Sequence, residues 1–514
     1  MKIAIGYPPI KSERGVPQIS QNRQFQWVAG GPLAYFIYPV VPASAATLLR
    51  SKGYQVVWLD GLAEKWSYEK WLSEVKKEKP DLIMMETKTP VVKKHWEIIS
   101  NIKYQISNIK IVLVGDHVTA LPEESFENSQ VDYVLTGGDY DFLLLNLVNH
   151  LAKGEKLEPG IWYRQFPISN FNPSTSSGLT LSVIERAKFP ISKNKILNSG
   201  PFQLNHDLNS LPLIDRELTK WWLYASKNSN FYRAPGAYTM FGRDCWWGRC
   251  TFCSWTTLFP GACYRVVKVE KALDEIGQLI EKYHVREIMD DSGTFPVGGW
   301  LRDFCQGMIK RGYQKKVRIN CNMRFNAGLS EKDYRLMGKA GLRFILYGLE
   351  SASQKTLDKI NKNLKVEMIE PVLRWAKKGG LMPHLTVMVG YPWEDEKDVR
   401  NTISMAGNLF KKGLADSMQA TIIIPYPGTP LFDYCKKRGL LKTKDWNRYD
   451  MRQLVVKTPV SQQKLLAAVR RLYSRSIWTP RFILNTLSQL KSVDGIKYVG
   501  FQALKYFGKL WEFK

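Results

Sequence analysis

The chain has 514 residues, 44% hydrophobic and 24% charged, enough for two or three domains with substantial cores. Its seven cysteines, an odd number in a large chain, argue against a disulfide framework, and no apolar run reaches the roughly 18 residues of a spanning helix. A net charge of +27, from 74 Lys and Arg against 47 Asp and Glu, leaves two readings: an anionic partner (nucleic acid, membrane surface or substrate), or a lysine-rich solvated surface.

The opening MKIAIGYPP reads as a short strand ending in a proline turn. It has no apolar core or cleavage site, so no secretory signal is expected and the chain is expected in the cytoplasm. Strand and helix patterns then alternate through residues 1–154. VVPASAATLLRSKGYQVVWLD gives a helix, a Gly53 stop and a strand; WLSEVKKEKPDLIMMETKT, IKIVLVGDHVT and VDYVLTGGDYDFLLLNLVNHL continue the rhythm. This βαβ order predicts a Rossmann-like, doubly wound parallel sheet. Ligands of such sheets sit beyond the carboxyl ends of the strands, which selects the loops Tyr7–Ile10, Glu86–Pro90, Gly115–Thr119 and Thr136–Tyr140. Their small and hydroxylated residues are expected to let a large ligand approach.

Residues 155–232, rich in Pro, Ser, Asn and Gly, read as a connector. From 233 to 455 the βα rhythm returns, with strands expected at 237–243, 285–290, 316–322, 343–349, 384–390 and 418–424. Six βα units predict a (β/α)6 partial barrel, whose functional residues lie on the loops after the strands. Residues 456–514 read as a small, basic, amphipathic helical region.

GRDCWWGRCTFCSW follows the first barrel strand and holds Cys245, Cys250 and Cys253. Zinc sites usually add a second ligand pair to C-x-x-C, and none follows at such spacing. Cys263, Cys305, Cys321 and Cys435 are isolated, as buried small hydrophobes usually are. Three thiolates on one loop suit three irons of a cubane cluster and leave the fourth iron open; zinc is the alternative.

With these segments in hand, the chain resembles, over roughly residues 1–440, the radical S-adenosylmethionine enzymes that carry an N-terminal cobalamin-binding domain. The cysteine loop is similar to the family's cluster loop, although the spacing here is C-x-x-x-x-C-x-x-C, one residue longer than usual. The resemblance implies a 4Fe-4S cluster on the three cysteines, S-adenosylmethionine on the open iron, and Phe252 beside the adenine. IMDDSGTF resembles the end of the second strand, with Asp290 or Asp291 toward the cofactor's amino group. RINCNMRF offers Asn320, Asn322 and Arg324; LYGLESASQKTLDKINK offers Glu350 and Ser351; TVMVGYPWED offers the Gly390–Pro392 turn. IIIPYPGTPLFD resembles the end of the sixth strand, and DLNSLPLIDREL the connector before the barrel. Cleavage of the sulfonium would give a 5′-deoxyadenosyl radical that takes hydrogen from an unactivated carbon, with electrons from an external one-electron reductant. Trp246, Trp247 and Trp255 are expected either to wall this space or simply to pack.

The N-terminal half resembles the family's cobalamin domain. The contacts it implies are Pro8, Thr87, Thr89, Gly115, His117, Thr136, Gly137 and Gly138. Gly137-Gly138-Asp139-Tyr140 stands where many members have a Gly-Glu-x-Glu turn, so neither of those glutamates is present. No D-x-H-x-x-G histidine is present, so cobalt is expected to lack a protein imidazole. His117 reads instead as a loop histidine bonded to backbone.

From Lys464 to Lys514 there are ten Lys or Arg and two acids among helically spaced apolar residues. These helices are expected to cover the barrel, with peripheral contact to an anionic membrane as the alternative. No nucleic-acid module is recognisable, and nucleic acid is not an expected partner. The resulting expectation is a C-methyltransferase acting on a small-molecule, lipid or peptide substrate. The alternative is a radical cyclase, oxidase or ring-rearranging enzyme with the same cofactors, acting on a lipid or isoprenoid, and a nucleic-acid-binding iron–sulfur protein is the third reading.

Overall fold

The computed structural model describes residues 1–19, 26–28, 34–165, 195–225, 231–261, 263–477, 480, 483, 486–487, 490 and 492–512. Parts of the expected connector, at 166–194 and 226–230, and of the C-terminal RFILNTLSQL segment lie outside the described residues.

The N-terminal sheet is built from β1 (Lys2–Tyr7), β2 (Gln55–Asp60), β3 (Leu82–Glu86), β4 (Lys110–Val114), β5 (Tyr133–Leu135), β6 (Ile161–Arg164) and β7 (Ile196–Asn198). Their order is β2-β1-β3-β4-β5-β6-β7, with the first five parallel and the last two antiparallel. LIMME of β3 is buried throughout, because helices cover both faces of the parallel part. Val40–Ser51 and Tyr140–Lys153 pack on one face, Tyr68–Glu78 and Val92–Gln105 on the other. The order reverses between β1 and β3, where ligands of such folds bind. The stretch read as a connector thus contributes β6 and β7 to this sheet. Edge strands of three or four residues are too short to show a period.

The second sheet holds β8 (Gly236–Thr239), β9 (Glu287–Asp290), β10 (Arg318–Met323), β11 (Leu342–Glu350), β12 (Met382–Val389) and β13 (Ser417–Ile422). All pairs are parallel and the order follows the sequence, so this is a partial barrel. The first strand, expected to reach residue 243, stops at Thr239. The next backbone donors go elsewhere: Phe241 N–H to Asp290 Oδ2 (2.8 Å) and Gly242 N–H to Ser292 Oγ (2.8 Å). The chain then forms a separate short ladder of Gly242–Arg243 with Arg265–Val266.

Two of the C-terminal helices are described over their length. Gln462–Ile477 buries Leu465, Val469, Leu472 and Tyr473 in the barrel core. Val493–Glu512 lies across the barrel floor, with Tyr498 5.3 Å from Tyr232 between ring centroids and Asp494 paired to Arg286 at 2.7 Å. Among the described residues no helix is long and apolar enough to cross a membrane.

Candidate functional site

The carboxyl ends of the two sheets face each other. A knot of charge joins them: Arg243 forks onto Asp141 and also reaches Asp139 at 3.3 Å. Asp139 accepts from Arg265 (2.5 Å) and bonds His206 (2.9 Å). Those partners overcome the burial that would raise Asp139 and hold its carboxyl well below the usual range. The Gly-Gly-Asp-Tyr departure from the Gly-Glu-x-Glu turn therefore has a purpose. Its aspartate ties the N-terminal domain to the strand that enters the cysteine loop, a role that sequence reasoning missed.

The loop itself is strained at its start. Asp244 has φ +80, a left-handed value that is uncommon for a non-glycine residue and clusters at functional sites. Between Cys245 and Cys250, Trp246 and Trp247 both lie against one guanidinium. Arg324 lies 5.3 and 5.2 Å from their ring centroids, and its Nη1 donates to Cys250 Sγ at 3.4 Å. Burial pushes the Cys253 thiol up to about 12 and raises Cys250 against the nearby charges of Lys362 and Arg324. Among the described residues no three His, Cys, Asp or Glu side chains converge on one metal ion.

Around this loop stand the ends of the other barrel strands. Glu350 has φ +61 at a bulge in β11, and this turn carries its carboxylate onto Lys362 at 2.8 Å. Gly348, in the same motif, makes room: a Cβ there would lie 2.2 Å from Glu350 and 2.5 Å from Lys362. Lys362 Nζ also lies 5.9 Å from the Phe252 ring centroid. Tyr391 is fully buried after β12, in electrostatic contact with Glu350, Glu394 and Cys250.

The remaining candidates divide. Ser351 donates to Glu394 Oε1 at 3.0 Å. Glu394 also accepts from the N–H of Gly390, and Gly390 leaves space for Leu465, which a Cβ would meet at 2.8 Å. Pro392 is half-buried in the same turn. Asp290 staples β8 through Phe241 N–H, and burial lifts it to about 7. Asp291 is buried near enough to Glu86 of the N-terminal sheet to raise it. Asn322 donates to the Ser292 carbonyl. Asn320 is displaced from its expected place: it donates to Glu287 at 2.7 Å, at the barrel floor rather than the mouth. The strand alternation that puts it inside the barrel does not fix its height.

On the N-terminal side, Pro8 and Thr87 are buried at the sheet edge, and Thr87 bonds His95. Thr136 donates to the Gly160 carbonyl. The expectation that the loop glycines leave room for a ligand is corrected. A Cβ on Gly115 would lie 2.3 Å from the Thr87 carbonyl, one on Gly137 2.5 Å from Phe202, and one on Gly138 2.0 Å from the Phe259 ring. Their smallness serves the chain's own packing. His117 is also corrected: it is fully buried, and both ring nitrogens meet side chains, Thr89 at 3.1 Å and Glu124 at 3.1 Å, not backbone. With both nitrogens engaged, it has none to offer a metal.

Among the described residues, several buried polar atoms near this junction have no hydrogen-bond partner: Tyr391 OH, Thr251 Oγ1, Trp246 Nε1, Trp255 Nε1, Thr257 Oγ1, Asp244 Oδ2, Glu86 Oε1 and Tyr426 OH. Native interiors rarely tolerate such groups. Concentrated around three thiols and two facing strand edges, they fit a large polar cofactor set.

Comparisons with known proteins agree with this geometry. The Radical SAM superfamily model matches residues 239–406, and the B12 binding domain model residues 26–142. An uncharacterized methyltransferase of Pyrococcus horikoshii is 25% identical over 474 residues, covering 90% of this chain and 94% of its own. An anaerobic magnesium-protoporphyrin IX monomethyl ester cyclase of Cereibacter sphaeroides is 24% identical, covering 83% of this chain and 65% of its own. In fold, the chain is similar to the radical S-adenosylmethionine methyltransferase TsrM of Kitasatospora setae (TM-score 0.67, 14% identity, 99% of each chain). It is likewise similar to the cobalamin-dependent enzyme OxsB (TM-score 0.68, 14% identity, 99% of this chain and 71% of that one).

Proposed function

The chain belongs to the cobalamin-dependent radical S-adenosylmethionine family, and from that premise we propose that it is a C-methyltransferase acting on an unactivated carbon of a small molecule. When bound, the cluster with S-adenosylmethionine supplies one-electron radical chemistry and the cobalamin supplies methyl transfer. The observation that carries the reading is the meeting of the cysteine loop with the carboxyl edge of the B12 domain. This is the arrangement a reaction needs if its two cofactors serve one substrate.

The residues take these parts. Cys245, Cys250 and Cys253 would hold the cluster, and Arg324, already donating to Cys250 Sγ, favours the thiolate. Glu350, Phe252 and the hydroxyl of Tyr391 would orient S-adenosylmethionine. Trp246 and Trp247, stacked on Arg324, exclude water from one side. Lys88 and Asp116, a buried pair at 3.0 Å, stiffen the loops on which the corrin would rest. In this reading residues 1–154 and the two edge strands after them serve cobalamin, 233–455 form the radical barrel, and 456–514 cover it. An external one-electron reductant completes turnover.

Radical cyclisation or oxidation is the second reading, favoured by the cyclase relative that covers 83% of this chain. The test uses reconstituted holoenzyme, reductant and S-adenosylmethionine carbon-13-labelled in its methyl group, incubated with a small-molecule extract of the source cells. Methyl transfer predicts label in one extract component, with S-adenosylhomocysteine formed alongside. Formation of 5′-deoxyadenosine with neither label in a product nor S-adenosylhomocysteine would overturn it in favour of the second reading.

A further inference from the structure

Over residues 493–504, the outward face of the C-terminal helix Val493–Glu512 is apolar where a surface helix is ordinarily polar. Val493 is 67% exposed, Ile496 55% and Leu504 52%. With Gly500 and Ala503, also exposed, they fall at i, i+3, i+7, i+10 and i+11, along one stripe. The inward face is accounted for: Tyr498 lies on Tyr232 and Arg343, and Asp494 on Arg286. Just upstream, Ile483, Leu487 and Leu490 are exposed as well, and their spacing of four and three residues is again that of one helical face. Six of the large exposed hydrophobics thus fall within residues 483–504, a concentration that marks an interaction surface.

Charge selects the partner. The segment from Lys464 to Lys514 carries ten basic and two acidic residues. One of those acids, Asp494, is neutralised inward by Arg286, while Lys497 is exposed beside the stripe. An apolar stripe in a strongly basic segment complements a surface that is anionic outside and apolar beneath. We propose that this face docks peripherally on an anionic lipid membrane. The helix lies on the surface and does not cross it. Docking happens at the barrel floor, the end opposite the cysteine loop, so it positions the enzyme without opening the mouth to the lipid. The inference does not depend on which reaction the mouth performs.

The experiment is vesicle co-sedimentation of the full chain, reconstituted with iron, sulfide and cobalamin. Vesicles rich in phosphatidylglycerol are compared with phosphatidylcholine alone, over a range of salt. Binding should be at least about tenfold tighter to the anionic vesicles, from two or more basic contacts, and should weaken as salt rises. Ile496→Glu with Leu504→Glu should abolish it. Lys497→Glu should weaken it about fivefold or more, while iron content and circular dichroism stay at wild-type levels. Equal binding to both vesicle types, or unchanged binding by the double variant, would overturn the proposal. So would concentration-dependent self-association without vesicles that the double variant loses, since the occupant would then be a second copy of the chain.

Discussion

The barrel has two polar ends, and they are built on opposite terms. At the floor, Glu287 is fully buried and richly partnered. It accepts from Asn320 Nδ2 (2.7 Å), Arg343 Nε (2.8 Å) and the backbone N–H groups of Tyr232 (2.7 Å) and Arg233 (2.6 Å). At the mouth, Tyr391 OH, Thr251 Oγ1 and Trp246 Nε1 are buried with no partner among the described residues. A satisfied buried network rigidifies a scaffold, whereas unsatisfied groups cost free energy unless a ligand completes them. Polar residue types alone do not tell the two ends apart; their partners do.

The largest effect expected at the mouth is total. Replacing Cys245, Cys250 and Cys253 together by Ala should remove iron and visible absorbance from anaerobically reconstituted protein, while Cys435→Ala, buried in the barrel core, should keep both. Full iron retention in the triple variant would erase the distinction between the ends. At the floor the effect should fall on stability instead. Glu287→Ala removes the buried carboxylate that Arg343, Asn320 and two backbone N–H groups share and should cost about 3–5 kcal/mol, read as a lower denaturation midpoint. A loss below about 1 kcal/mol would show that the network is not structural.

A third effect depends on pH. Burial pushes Glu86, at the sheet edge facing the mouth, up to about 7 from an ordinary 4.5. Its folded-state pKa is raised, so its contribution to stability is full below about 4.5 and lost as pH rises through about 7. Glu86→Gln should flatten that fall, worth up to about 3 kcal/mol, in melts of the cofactor-free protein between those limits. An identical pH profile in the variant would contradict the burial argument. Smallest of all, Tyr391→Phe removes a hydroxyl that bonds nothing among the described residues. Stability should change by no more than about 1 kcal/mol, while S-adenosylmethionine should bind roughly five- to tenfold more weakly, the loss of one hydrogen bond. A strong loss of stability with unchanged binding would move Tyr391 from site to scaffold.

Both folds were legible in the sequence because parallel strands buried on two faces write unbroken apolar runs, such as LIMME, between amphipathic helices. The cysteine loop was legible because three thiols within nine positions have few other uses. The edge strands β6 and β7 were not, since three or four residues carry no period. Asn320 was misplaced because alternation gives the face of a strand but not the depth along it. The glycines at 115, 137 and 138 were read as room for a ligand, yet that room is filled by Thr87, Phe202 and Phe259, contacts between residues far apart in sequence. Asp139 looked like a failed match to a motif, and only the positions of Arg243, Arg265 and His206 disclose its work.

The central claim is that the mouth holds a cluster on three cysteines with one iron left for S-adenosylmethionine. Electron–nuclear double resonance of the reduced holoprotein, mixed with S-adenosylmethionine labelled with nitrogen-15 at its amino group, tests it most directly. The account predicts a nitrogen-15 coupling to the cluster spin, absent without the label. A reduced cluster whose spectrum is unchanged by S-adenosylmethionine and shows no such coupling would contradict it.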